Sequence, residues 1–235
     1  MLSVFKKEMW AYIISPIPYV LAVIFVAFMA WYFFEPGDFW VNGVASMNAF
    51  FGFLPWVLIV LIPGITMRLW SEESRGGTLE TLMTSPLKSW QLVGGKFLSA
   101  WLLFVICFLC TLPLAITVSS LGDLDWGPVI GAYLGALLLG AALLSMGLWI
   151  SALTSHQIVA LLLTAVGIFV FVALSWIASR AGGDLGRFLD GLSVSGRFSA
   201  LGRGVVDLRD VLYFVSFTSF FLYLNVQAIE NRRYR

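Results

Sequence analysis

Five stretches without Asp, Glu, Lys or Arg dominate the chain: Met9–Phe34, Phe39–Met67, Phe97–Gly122, Trp126–Ser179 and Val211–Ile229. A helix needs about 20 apolar residues to cross the hydrocarbon core of a bilayer. The fourth stretch is too long for one such helix and fits two, parted at the polar cluster Ser151, Thr154, Ser155, His156 and Gln157. The pattern predicts an all-α membrane protein with six spans, at roughly 16–34, 50–68, 97–121, 128–151, 158–179 and 211–229, so that 1–235 reads as a single transmembrane domain. Pro16 suits a helix start better than a helix middle. The first stretch is also too long for the h-region of a cleavable signal, which runs about 7–15 residues.

Composition agrees. Hydrophobic residues make up 60% of the chain and charged residues 11%, where a soluble domain carries about 25% charged. A net charge of +1 argues against nucleic acid as a partner, because that needs a clustered basic surface. Lys and Arg mark the cytoplasmic side of a membrane protein. Lys6 and Lys7, then Arg68, Arg75, Lys88 and Lys96, then Arg232, Arg233 and Arg235 all fall on one side of a six-span chain. Both termini are therefore expected in the cytoplasm, as for a protein of the bacterial inner membrane. The connection from Arg180 to Arg209 breaks the pattern, with five Arg on the expected outer side.

Candidate chemistry is sparse. Cys107 and Cys110 have CxxC spacing but lie in an apolar run with no second pair to complete a zinc site, so they read as small helix residues. His156, the only histidine, reads as a polar turn residue or a contact to a partner. The chain has no HExxH or GxSxG motif, and Gly94-Gly95-Lys96-Phe97 lacks the spacing and the hydroxyl residue of a phosphate-binding loop. Ion-coupled carriers keep ionisable groups within the membrane, and these spans hold none. The chain is not expected to be an enzyme or to bind a cofactor or metal.

The most informative stretch runs from Trp70 to Lys96. Gly76 and Gly77 interrupt the chain before Thr78, which can cap a short helix with Glu80 in its first turn. Leu79, Leu82 and Met83 give that helix an apolar face, Pro86 ends it, and Ser89 can cap the helix that becomes the third span. A short amphipathic helix between two spans on the cytoplasmic side has the form of a docking element.

Glu73, Arg75, Gly77 to Glu80, Leu82, Ser85, Pro86, Gly95 and Lys96 resemble the signature of the type-2 ATP-binding-cassette exporter permeases. The resemblance extends to the opening Phe5 to Glu8 with Ser15 and Pro16, and to Phe198 through Asp207 before the last span. Within that family the chain most resembles the gliding-motility permeases of the GldF type. The resemblance implies a membrane subunit that pairs with a second permease chain, expected to be identical, and with two copies of a separate ATPase subunit. ATP and Mg would be used by that partner, not by this chain. An auxiliary protein with an extracytoplasmic domain would accompany a gliding-type system. The coupling helix would follow span two, and the residues expected to meet the ATPase are Glu73, Arg75, Thr78, Leu79, Glu80, Leu82, Pro86 and His156. The alternative is a structural membrane anchor of a motility or secretion complex with little transport of its own.

In that family spans two and five line the path, which here gives Pro55 and Pro63 with Phe169, Val172 and Trp176. Such an apolar, aromatic path would favour hydrophobic or amphipathic cargo. Gly131, Gly135, Gly140 and Gly147 let span four approach a neighbour closely, within one chain or at a dimer contact. Residues near Leu2–Tyr12 read as an interfacial helix with Val4, Phe5, Met9 and Tyr12 on one face and Lys6 and Lys7 reaching lipid phosphates. Between spans five and six, two short re-entrant or interfacial helices are expected, carrying an outer lid built from Phe188, Leu192, Arg197 and Phe198, with the arginines turned to lipid headgroups.

Overall fold

A computed structural model describes residues 1–35, 46–77, 88–202 and 207–233, and every regular element among them is a helix. In chain order these are α1 (Leu2–Ile14), α2 (Pro16–Phe34), α3 (Asn48–Thr66), α4 (Ser71–Arg75), α5 (Ser89–Leu109), α6 (Leu112–Leu121), α7 (Trp126–Leu153), α8 (Gln157–Ala181), α9 (Gly183–Leu192), α10 (Val194–Leu201) and α11 (Leu208–Arg233). Six segments are long and apolar enough to cross a membrane: Pro16–Phe34, Asn48–Arg75, Ser89–Leu121, Trp126–Leu153, Gln157–Ala181 and Leu208–Arg232. These are the six spans expected from the hydrophobic pattern, and α9 and α10 are the two short helices expected before the last of them.

Two boundaries are set by proline. Ser15 is extended (φ −76°, ψ 134°) because the residue before a proline is driven out of the helical region. The first apolar run therefore splits into α1 and α2, with Pro16 opening the second. The third span is also two helices, although the sequence reads as one. Pro113 in the first turn of α6 clashes with the carbonyl four residues back, and that residue, Leu109, is the last of α5. The Thr111 hydroxyl repairs the break, donating to the Phe108 carbonyl at 2.6 Å and lying 3.2 Å from the Tyr133 hydroxyl. By contrast α3 runs unbroken through Pro55 and Pro63.

The start of α5 differs from the sequence reading. Lys88, not Ser89, occupies the cap position, and its N–H donates to Gln91 Oε1 at 3.3 Å. Ser89 is buried as the first helical residue.

α3 and α7 form the centre: 67% of each spanning window is buried, against 22% for α2, 28% for α8 and 22% for α11. The longest helix pair is α7 with α11, and α3 packs along α8. Close approach to α7 depends on its glycines. A Cβ at Gly140 would sit 2.1 Å from the Phe104 ring of α5, and one at Gly147 would sit 2.6 Å from the Thr66 hydroxyl of α3. One at Gly135 would meet Leu201 of α10 at 2.9 Å. The small-residue stripe of span four thus serves packing inside the chain.

The bundle has two poles. At one, the N-terminal pole, α1 lies on α5 and the end of α3 meets the end of α7. At the other, α9 and α10 fold back on α8 and α7. The structure orients α1. Val4 is buried against Gly95 of α5, while Leu2, Trp10, Ile13 and Ile14 form the exposed apolar side. The face carrying Val4 and Tyr12 therefore turns to the protein.

Candidate functional site

At the N-terminal pole the chain leaves α3, turns through Met67–Trp70 and enters α4. Three hydroxyl residues hold this elbow. Thr66 donates back to the Ile62 carbonyl at 3.0 Å, and Ser71 donates to the Met67 carbonyl. Ser151, buried near the end of α7, accepts the Trp70 N–H at 3.3 Å and donates to the Met67 carbonyl at 3.5 Å. Trp70 is fully buried beneath them.

Against the elbow sits a lysine that is only 1% exposed. Lys96 projects from the second turn of α5, and its ammonium makes two hydrogen bonds and one further ion-pair contact. Nζ lies 2.7 Å from Glu8 Oε1 on α1, 2.7 Å from the Leu69 carbonyl in the elbow, and 3.0 Å from Glu73 Oε2 on α4. The Trp70 ring faces the same ammonium, with its centroid 4.8 Å away. Glu73 is shared with Lys7 of α1 at 3.1 Å. Two lysines and two glutamates thus form a neutral chain that joins α1, α4 and α5. A buried charge is tolerated when it is paired and hydrogen-bonded, and removal of one member strands the others.

Further polar contacts surround this network. Arg68 Nη1 donates to Ser15 Oγ at 3.3 Å at the α1–α2 break. Arg232 of α11 reaches Ser74 Oγ of α4 at 3.4 Å. Burial holds the Tyr12 phenol far above the ordinary tyrosine range, with the nearby Glu8 charge adding to the rise and Arg68 opposing it. Its hydroxyl therefore stays a proton donor.

The residues expected to meet an ATPase divide between this site and its margins. Glu73 is inside the network, and Arg75 is exposed at the end of α4. Gly76 ends the helix and Gly77 has φ +68°, a left-handed turn that favours glycine and that redirects the chain just before residue 78. His156 is exposed at the cap position of α8. Thr78, Leu79, Glu80, Leu82 and Pro86, and with them the expected docking helix, lie outside the described residues. Segment 78–87 follows α4 and precedes Lys88, so the Lys96 network joins the two helices on either side of it. The network itself is not visible in the pattern, because Glu8, Glu73 and Lys96 are distant in sequence and each flanks a different apolar run.

The five expected path residues do not share one surface. Pro55, Pro63 and Val172 are buried within the chain, while Phe169 is 50% and Trp176 55% exposed on the outside of α8. α3 and α8 pack directly on each other, and Trp56 meets Phe169 at 6.3 Å between ring centroids on their outward seam.

At the far pole, α10 is pinned rather than turned to the surroundings. Arg197, expected to reach lipid headgroups, instead donates to Asp210 of α11 at 3.0 Å and to the Gly191 carbonyl at 3.3 Å. The Asp210 side chain is 5% exposed. Tyr213 of α11 donates to the Leu192 carbonyl at 2.7 Å, and Ser193 caps α10 by accepting the Gly196 N–H. Phe198 is buried near Gly135, whereas Phe188 and Leu192 of α9 are exposed. Arg180 stacks on Trp176 at 3.7 Å, and Arg187 is solvent-exposed beside Asp184.

Comparison with known proteins supplies the family. The chain is 35% identical over 102 residues to the "Probable multidrug ABC transporter permease YbhR" of Escherichia coli (strain K12), and the same match is found with the protein of that name from Escherichia coli O157:H7. The match takes in 43% of this chain and 26% of each relative, so the chain spans about a quarter of the length of those proteins. The family described as ABC-2 family transporter protein matches residues 2–232, nearly the whole chain, and with six apolar spans organised as above the chain belongs to the ABC-2 transporter permeases, as a multi-pass membrane protein.

Proposed function

We propose that this chain is the transmembrane permease subunit of an ATP-driven exporter, with hydrolysis carried out by two copies of a separate ATPase subunit. In this reading residues 1–235 form one permease domain in the bacterial inner membrane, both termini face the cytoplasm, and a second copy of the chain completes the transporter. The observation that carries the reading is the clamp around Lys96. It joins α1, α4 and α5 at the two points where segment 78–87 leaves and re-enters the bundle. A partner that moved this segment would pull on a rigid frame and not on two loose ends.

Transport would run along the seam between two copies, where the exposed aromatic residues Trp56, Phe169 and Trp176 of α3 and α8 favour hydrophobic or amphipathic cargo. The relative named as a multidrug permease is in keeping with such cargo. The resemblance to gliding-motility permeases would add an auxiliary protein with an extracytoplasmic domain.

Replacing Leu79 and Leu82 together by Asp should abolish co-purification of the ATPase subunit with the permease while leaving the permease itself folded and membrane-inserted. An intact complex with cargo-coupled hydrolysis in that double variant would sink the docking role of the segment.

A further inference from the structure

A cavity of about 450 Å³ lies at the N-terminal pole between α1, the first turns of α2, the last turns of α3, α4 and the start of α5. Helix direction gives it a polar and an apolar end. Tyr12, Ser15 and Arg68 sit at the pole. Leu21, Ile65 and Leu103 lie further along their helices, toward the middle of the bundle.

Two donors on the polar wall lack an acceptor among the described residues: the Tyr12 hydroxyl and Arg68 Nε, both fully buried. Arg68 has no carboxylate within ion-pair distance among the described residues, and its one hydrogen bond goes to the Ser15 hydroxyl. Ser15 is also the cap residue of α2, whose first turn carries no acid and receives no side-chain cap, so the positive end of that helix faces the same space. The three carboxylates on the cavity wall do not supply the missing acceptor. Glu8 and Glu73 are drawn to Lys96, and Glu72 is exposed. A buried guanidinium edge and a buried hydroxyl both cost free energy when left without acceptors.

We propose that this cavity is a binding site for a membrane glycerophospholipid, whose phosphodiester oxygens accept from Tyr12 and Arg68 while its glycerol and upper acyl chain lie along Ile17, Leu21 and Leu103. The volume is far larger than a lone phosphate fills, and the apolar end gives a free anion nothing to contact. The exposed apolar side of α1, with Trp10, Ile13 and Ile14, reaches the cavity wall at Ile14 and would place the site at the depth of lipid headgroups. Bound there, a lipid would brace α1 against α2 and α3 next to the Lys96 network.

The test uses the full chain, purified in a phosphorus-free detergent, stripped of lipid and titrated calorimetrically with dihexanoyl phosphatidylglycerol. The wild type should bind, and inorganic phosphate at equal concentration should not compete. Tyr12→Phe removes a hydroxyl that has no partner among the described residues and should leave the fold intact. It should weaken lipid binding about tenfold, the worth of one hydrogen bond to a charged group, and Arg68→Gln should weaken it at least as much. Equal affinity in wild type and Tyr12→Phe, or no binding by wild type, would overturn the proposal. Competition by inorganic phosphate would assign the site to a free anion instead, and equal binding of dihexanoylglycerol, which has no phosphate, would make it a purely apolar groove. None of these measurements involves the ATPase or a cargo, so their outcome is separate from that of the exporter reading.

Discussion

Replacing Lys96 by Met tests whether the buried network holds the N-terminal pole together. The substitution keeps most of the side-chain volume but deletes the ammonium between Glu8 and Glu73. Those side chains are only 13% and 12% exposed, so water cannot fully replace the lost cation. Lys7 remains at 3.1 Å from Glu73, but Glu8 and the Leu69 carbonyl lose the ammonium that each accepts from. Breaking a buried pair by removing one partner costs about 3–5 kcal/mol. For a chain of this size each kcal/mol shifts the melting midpoint by about 2–4 °C, which gives a drop of about 6–20 °C. The assay is thermal unfolding of the purified chain in one detergent, followed by tryptophan fluorescence, with Trp70 as a reporter in contact with the site. Adding Glu8→Gln and Glu73→Gln to Lys96→Met removes the stranded charges and should recover most of the loss. A Lys96→Met protein that melts with the wild type would refute the network as a structural clamp. So would a triple variant that melts no higher than the single one.

Two further predictions concern the packing of the bundle. Gly140→Ala places a methyl group 2.1 Å from a Phe104 ring carbon, and the overpacking should cost about 1–3 kcal/mol; the loss should show as a lower melting midpoint and should be relieved by Phe104→Leu in the same chain. At the far pole, a double-mutant cycle on Arg197→Met and Asp210→Asn should give a coupling energy of about 0.5–3 kcal/mol, as for residues in direct contact, whereas additive effects would mean that α10 is not held to α11 through this pair.

The spans were legible in the sequence because lipid makes the signal strong: an uncharged run of sufficient length has few other uses, and each such run holds at least one of the six membrane-length segments. The two short helices between α8 and α11 were legible from their apolar spacing. Apart from one local break, what escaped depended on pairs of residues distant in the chain. Pro113 could have revealed the break between α5 and α6, since its ring excludes the carbonyl of Leu109, but it lies inside a run whose hydropathy alone reads as continuous. Arg197 was read as turned to lipid headgroups because its partner, Asp210, lies 13 residues further on, at the edge of the next span. Lys96 was read as a flanking charge for the same reason. Residues beside apolar runs are usually solvated, and only the return of α1 across α5 brings Glu8 over it. For α1 the periodicity left the direction open, because an apolar residue on a helix surface does not declare whether protein or lipid covers it.

The two poles solve the same physical problem with different consequences. Each joins short helices to long ones through an ion pair at the end of a span, where a charge is near enough to water to be made and near enough to the apolar core to be held. At the far pole the pair is local: Arg197 and Asp210 are 3.0 Å apart, and they join α10 to α11 while Phe198 and Leu201 lock α10 into the α7 surface beside Gly135. That arrangement resists displacement of α10 by packing as well as by charge. At the N-terminal pole the packing beneath α4 is thin. α4 has one buried residue, Ser71, so its place depends on Glu73, on the hydrogen bonds of the elbow and on the contact from Arg232. A short helix held mainly by polar contacts can shift as a unit when those contacts are exchanged, whereas one held by a packed apolar face must unpack. Force applied to residues 78–87 would therefore reach α1 and α5 through Lys96 and reach α3 through the Met67–Trp70 turn, which Ser151 ties to α7. The α9–α10 pair at the other end would feel it only through the long central helices, α3, α7 and α8.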